Sequence, residues 1–246
     1  MRRGAHDELR HFSEMLILAI DTTSPAGSVA LLRDVHVVSQ IASADVEQYS
    51  TRLFRDVERV MRDAGVAMPD VDLYAVASGP GSFTGVRVGL AAVKAWAEVY
   101  RKPVAAVSAL EATAFQAAAG DSLIAGIADA HRGQFFAGLY QRTESGLGRR
   151  GDDVVMPPGE CLAYLLQQAT GAPFVIRTTA AALVRTALAG TAAANARVQE
   201  AEPALAPAIG RLGYGRAQRG ELVDALTLDA HYVRRSDAEL LWHEHK

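Results

Sequence analysis

One pattern occurs twice in this chain, and it limits the folds available. The segments "LILAIDTTSPAGSVALL" (16–32) and "LIAGIADAHRGQFFAGLY" (123–140) share a layout: an apolar run, an aspartate at its end, a short glycine-containing turn and a returning apolar run. A short apolar run bounded by turn formers reads as a buried strand. Asp21 and Asp129 hold the same place in the two segments, 108 positions apart (129 − 21). That self-similarity predicts a degenerate internal duplication.

The surroundings extend both copies. In the first, strands are expected at 16–20, 28–32 and 36–42. A helix follows at 51–64, with Leu53, Val57, Val60, Met61 and Ala64 on one face and Gly65 stopping it. Next come a strand at 73–77, a helix at 83–100, a strand at 103–107 and a helix capped by Ser108 and running to about 119. In the second copy, a helix near 158–169, a strand near 174–178 and helices near 180–189 and 204–219 complete the unit. Residues 143–151 read as a polar loop, 191–196 as a loop or frayed helix end, and 226–246 as a short extended piece with a charged end. Two such units suggest an α/β, actin-like fold, in which two ribonuclease-H-like lobes face each other across a cleft. The expected divisions are a disordered, dispensable extension at 1–14, a first lobe at 15–120 and a smaller second lobe at 121–246.

Composition narrows the setting. The 246 residues carry a net charge of −3, which argues against a chain that holds nucleic acid tightly by itself. No apolar run reaches the roughly 18 residues of a membrane span, and the polar start has no signal-peptide core. Cytoplasmic placement is expected. The lone cysteine, Cys161, excludes an intrachain disulfide framework and is expected to be a buried structural thiol.

Three segments could carry chemistry. In "DTTSPAGS", Asp21, Thr22, Thr23 and Ser24 could line a phosphate or metal pocket, since hairpin amides and hydroxyls suit phosphate and an adjacent carboxylate suits hydrated Mg²⁺. The same residue types also make an ordinary tight turn. In "SGPGSFTG", Gly79 and Gly81 permit unusual backbone, Ser82 can cap the next helix, and a glycine-preceded helix start suits an anion. It is no P-loop, because no Lys-Ser/Thr pair follows. The helix from Phe83 is apolar nearly all round, with Arg87, Lys94 and Glu98 on one narrow stripe. Packing on one sheet needs an arc of only somewhat over 100°. The remainder either lies inside the domain or meets a partner, with Gly85, Val86, Gly89, Val93 and Trp96 as the expected contact face and the two glycines admitting another helix. Catalytic groups are not apparent. His36, His131 and His231 are too scattered for a metal site, and no G-x-S-x-G elbow occurs.

Together "LAIDTTSPAGSVAL", "SGPGSFTGVRVGLAAVKAWA" and "DAHRGQFFAGLY", with the tail "HYVRRSDAEL", closely resemble the bacterial TsaB (YeaZ) family over about 15–242. The resemblance implies an actin-like ATPase fold with a reduced second lobe. It also implies a non-catalytic scaffold that works with the catalytic subunit TsaD and the ATPase TsaE to build N6-threonylcarbamoyladenosine at position 37 of tRNA. Contact with tRNA would be through the complex, and ATP binding by this chain weak or absent. The family usually carries Arg, Glu and Tyr where this sequence has His131, Gln134 and Phe136, and His at Tyr49. Pairing of two copies through the same helix is the other use open to it. An ATP-dependent small-molecule phosphotransferase is the competing reading and would need a full second lobe with a Gly-Gly adenosine loop. A peptidase would need a nucleophile–base or metal pair.

Overall fold

A computed structural model describes residues 14–42, 49–144, 146–191 and 196–233. All but the last residue of the expected 1–14 extension lies outside the described residues, as do Arg234 and Arg235.

The duplication is visible in strand order. The first sheet runs β3-β2-β1-β4-β5, built from β1 (Leu16–Asp21), β2 (Ser28–Arg33), β3 (His36–Ala42), β4 (Leu73–Gly79) and β5 (Val104–Ser108). The second uses β6 (Leu123–Asp129), β7 (Phe135–Thr143), β8 (Gly146–Met156), β9 (Val175–Thr178) and β10 (Arg197–Glu200), in the order β8-β7-β6-β9-β10. In each sheet the first three strands form an antiparallel meander and the last two run parallel to the first. This is the actin-like arrangement of two ribonuclease-H-like units.

Helices α1 (Tyr49–Asp63) and α2 (Phe83–Tyr100) cover one face of the first sheet, with Leu53, Val57, Val60, Met61, Val86, Leu90 and Val93 packed against Leu18, Ile20 and Tyr74. Gly65 adopts φ 65° just past α1, where an L side chain is disfavoured, and so ends the helix. Helices α4 (Pro158–Ala169) and α5 (Ala181–Leu188) cover the corresponding face of the second sheet. The second unit is the reduced one: α5 has 8 residues where its counterpart α2 has 18, and β9 and β10 have four each.

The helix that closes each unit crosses to the other sheet. Helix α3 (Ala109–Phe115) follows β5, yet Leu110 and Ala114 pack with Ile124, Phe136 and Tyr140 of the second sheet. Helix α6 (Ala206–Gln218) follows β10, yet Ala206, Ala208, Ile209 and Leu212 pack with Ile17, Ala19, Leu32 and Ala75 of the first. The expectation that residues 204–219 complete the second unit is therefore corrected. Small residues explain the exchange, because a Cβ at Gly213 would come 2.8 Å from that of Ala75, and α6 rides directly on the strands. Ser28 Oγ of β2 accepts the Ala206 amide at 3.0 Å, capping the start of α6.

Two further expectations change. Residues 146–151, read as a polar loop, belong to β8, an outer strand exposed over 148–152 and buried only at Asp153. Arg197–Glu200, for which no element was expected, forms edge strand β10 beside β9. After α6 the chain returns along β5, where Val223 and Val104 exchange amide hydrogen bonds of 2.9 Å each.

Candidate functional site

Sequence reasoning singled out the β1–β2 turn and the β4–α2 loop separately; the fold interlocks them. The Ser82 amide donates to Thr23 O at 2.7 Å. Thr22 Oγ1 donates to Gly85 O, also at 2.7 Å. A Cβ at Gly81 would overlap the Thr23 backbone, and one at Gly89 would overlap Thr22 Oγ1. Ser82 caps α2 as expected, its Oγ accepting the Gly85 amide at 3.2 Å. Gly79, at φ 115°, lies under the C-terminal segment, and a Cβ there would be 2.8 Å from His231 O.

This corrects the residues expected to meet a partner. Gly85, Val86, Gly89 and Val93 are buried in this chain's own first lobe, and Trp96 is half-buried against Phe54 and Tyr74. At about 100° per residue they lie opposite the stripe of Arg87, Lys94 and Glu98, so the core takes that side. Of the apolar residues of α2, Phe83, Ala91, Ala95 and Val99 stay open, the last 70% exposed. Beside them, Phe54 of α1 is 54% exposed at the mouth of a groove of about 370 Å³ lined also by Met61, Val66, Met68 and Trp96.

The turn that could hold phosphate already commits both of its threonine hydroxyls. Asp21 Oδ1 accepts both the Thr23 amide (2.8 Å) and the Thr23 hydroxyl (2.6 Å), while the Thr22 hydroxyl is committed to Gly85. Asp21 is 1% exposed. Burial raises its pKa, and the two bonds from Thr23 and the charge of Arg52 partly oppose that rise. Its Oδ2 has no hydrogen-bond partner. Within the turn, that orphaned oxygen is the feature suited to a cation. A hydrated Mg²⁺, however, is held by carboxylate that its waters can reach, and this one is sealed beneath the turn. Buried as it is, Asp21 does not fit a hydrated Mg²⁺. Ser24, the last residue of the expected loop, is only partly buried.

The second turn repeats the first turn's geometry without its seal. Asp129 Oδ1 accepts the His131 amide at 2.8 Å, the same two-residue step as Asp21 to Thr23. His131, Arg132 and Gly133 all have positive φ (56°, 53° and 73°), and His131 is exposed. Asp129 and Asp21 are thus equivalent in build, with Asp21 buried and Asp129 half-buried.

Sequence reasoning missed a polar cluster between the lobes. The Asp153 side chain of β8 has no exposed surface. It accepts from Tyr140 Oη (3.0 Å) and Ser108 Oγ (3.3 Å), and it lies 3.1 Å from His231 Nε2. Burial pushes the Tyr140 phenol well up, and the Asp153 carboxylate adds to it. Nearby, Arg216 of α6 donates to Glu111 of α3 at 2.5 Å, tying together the two exchanged helices. Burial raises the Glu111 pKa, against the pull of Arg216. Although a serine, a histidine and an aspartate meet here, Ser108 and His231 address the same carboxylate oxygen, and Ser108 also accepts the Leu110 and Glu111 amides. The arrangement joins lobes rather than activating a hydroxyl. Its signal was weak because Asp153 lay in a stretch to which no element was assigned and His231 in the tail.

Cys161 is fully buried, and burial pushes its thiol up to about 12. Among the described residues no group of three or more His, Cys, Asp and Glu side chains is placed to hold a metal, and no helix is long and apolar enough to cross a membrane.

The sequence profile of the family described as "TsaD: tRNA N6-adenosine threonylcarbamoyltransferase" matches residues 37–182. The chain is also 33% identical over 161 residues to the tRNA threonylcarbamoyladenosine biosynthesis protein TsaB of Escherichia coli, covering 64% of this chain and 68% of that protein. The chain belongs to the TsaB family. The TsaB protein of Bacillus subtilis is 40% identical over 127 residues, 52% of this chain and 56% of its own, so the match spans little more than half of that relative. Among solved structures, YeaZ from Pseudomonas aeruginosa superposes with a TM-score of 0.73 at 27% identity, covering 89% of this chain and 99% of that one. The likeness therefore runs through nearly all of that structure and most of this chain.

Proposed function

We propose that this chain is the non-catalytic scaffold subunit of a bacterial tRNA N6-threonylcarbamoyladenosine synthesis machinery, pairing with a TsaD-type catalytic subunit and acting alongside a TsaE-type ATPase. The observation that carries the reading is the open apolar face of α1 and α2, Phe54, Ala91, Ala95 and Val99, on a chain of this family. Small side chains at Ala91 and Ala95 let a partner helix come close, and Phe54 and Val99 supply aromatic and aliphatic anchors. This face keeps the role assigned to α2 and moves it to the side that its own core leaves free. Two copies could use the same face, so a TsaD-type partner would have to displace that pairing. What weighs against a phosphotransferase is the sealed Asp21 turn.

The test is a pull-down with a TsaD-type subunit using Ala95→Arg. The charge lands on solvent in the free chain and in a desolvated contact in the complex, which costs several kcal/mol. The expected result is an unchanged melting temperature with binding weakened at least about a hundredfold. Full binding by the folded variant would place the interface elsewhere.

A further inference from the structure

Arg87 stands on the exposed side of α2 but is not a free-swinging surface arginine. Its guanidinium carbon lies 3.7 Å from the centroid of the Phe83 ring, one turn back on the same helix. Its Nε donates to Tyr232 Oη at 2.9 Å. The two rings lie 5.4 Å apart and are tilted by 33°. Phe83 and Tyr232 nonetheless remain 41% and 47% exposed. Among the described residues no carboxylate pairs with Arg87, and its two terminal amino groups keep their donors.

The combination is specific. An arginine usually loses rotamer freedom when it binds, and here that freedom is already spent on the two rings. What faces solvent is an ordered fork, uncompensated by any carboxylate among the described residues, with the geometry for two phosphate oxygens, beside aromatic surface on which a planar base can stack. An acidic peptide would use the fork but leave the rings idle. We propose that Arg87, Phe83 and Tyr232 form a docking point for one phosphate and its neighbouring base on an RNA strand. The strand expected is the tRNA substrate, so the inference rests on the function proposed above and adds a direct contact to it. One such point fits a chain of net charge −3: it guides a strand held mainly by other subunits and does not replace a basic face.

A free nucleotide offers the same phosphate and base, so the experiment separates the two sources. The probe is a fluorescein-labelled tRNA transcript that reads a codon beginning with A, followed by anisotropy on the full chain from about 50 to 200 mM salt. Arg87→Ala should weaken binding about tenfold and reduce the salt slope by about one. Arg87→Lys, which keeps charge but loses the fork, should fall between, and Tyr232→Phe should lose part of the affinity with the slope unchanged. Millimolar ATP should not displace the transcript. Equal binding by wild type and Arg87→Ala, an unchanged slope, no binding by wild type, or full displacement by ATP or by polyglutamate would each overturn the proposal. The same variants are then assayed for tRNA threonylcarbamoylation with the complete set of subunits. If wild type supports the reaction and Arg87→Ala leaves KM for tRNA unchanged, the docking point fails alone. If wild type supports no reaction, the functional reading fails, and the anisotropy still decides the docking point.

Discussion

Gly89→Ala is the smallest change that tests how the two loops interlock. In an exposed helix this substitution would stabilise by about 1 kcal/mol through backbone propensity. Here the added methyl would overlap Thr22 Oγ1, which donates to Gly85 O at 2.7 Å in a buried setting. If the hydroxyl is pushed away, a buried donor and acceptor lose each other, a cost of about 1–3 kcal/mol. If the helix moves instead, overpacking costs about 1–3 kcal/mol. Either route outweighs the propensity gain in all but the mildest case, and both together leave a net loss of about 1–5 kcal/mol by those figures. For a chain of this size each kcal/mol is worth about 2–4 °C, so a middle value of about 3 kcal/mol lowers the melting temperature by roughly 6–12 °C. Circular dichroism melts of Gly89→Ala, Thr22→Ala and the double variant are the assay. Because the two residues touch, the double variant should lose clearly less than the sum of the singles. A Gly89→Ala chain as stable as wild type, or strictly additive losses, would refute the close approach and return Gly89 to the outside of the helix.

Other outcomes follow from the same structure. Asp153→Ala should cost about 2–4 kcal/mol, because it leaves the Tyr140 and Ser108 hydroxyls without their shared acceptor, and hydrogen exchange should quicken in α3 if the cluster ties the lobes. Burial raises the Asp21 pKa above its ordinary 3.8, so the stability linked to its protonated form is present at low pH and lost as pH rises through the folded pKa. The melting temperature of wild type relative to Asp21→Asn should therefore decline from about pH 4 upward, and a flat difference would contradict the burial. Cys161, with its thiol pushed up to about 12, should resist Ellman's reagent at pH 8 until the chain is unfolded in urea.

Much of the fold was legible because it rests on local signals. The apolar runs at Leu16 and Leu123, each closed by an aspartate, foretold both hairpins, and the equal Asp21 and Asp129 turns show why the repeat survives in sequence. β8 was hidden because its outer residues face solvent and read as loop. The placement of α6 was hidden because the partner of an apolar helix face is a long-range fact: Ala206, Ile209 and Leu212 declare a buried face but not which sheet buries it. The same limit applied to α2. Its glycines announced a close approach, and only the fold shows that the approaching group is Thr22 of the same chain. The Asp153 cluster gathers Ser108, Tyr140 and His231 from segments that share no motif.

The central claim is that this chain serves tRNA threonylcarbamoylation as a required partner that does no chemistry itself. The most direct measurement is mass spectrometry of nucleosides from tRNA incubated with threonylcarbamoyl-AMP, ATP, a TsaD-type subunit and a TsaE-type ATPase, with and without this chain. The account predicts N6-threonylcarbamoyladenosine in the complete mixture, almost none when the chain is omitted, and none from the chain alone. Undiminished product without the chain, or product from the chain by itself, would contradict it.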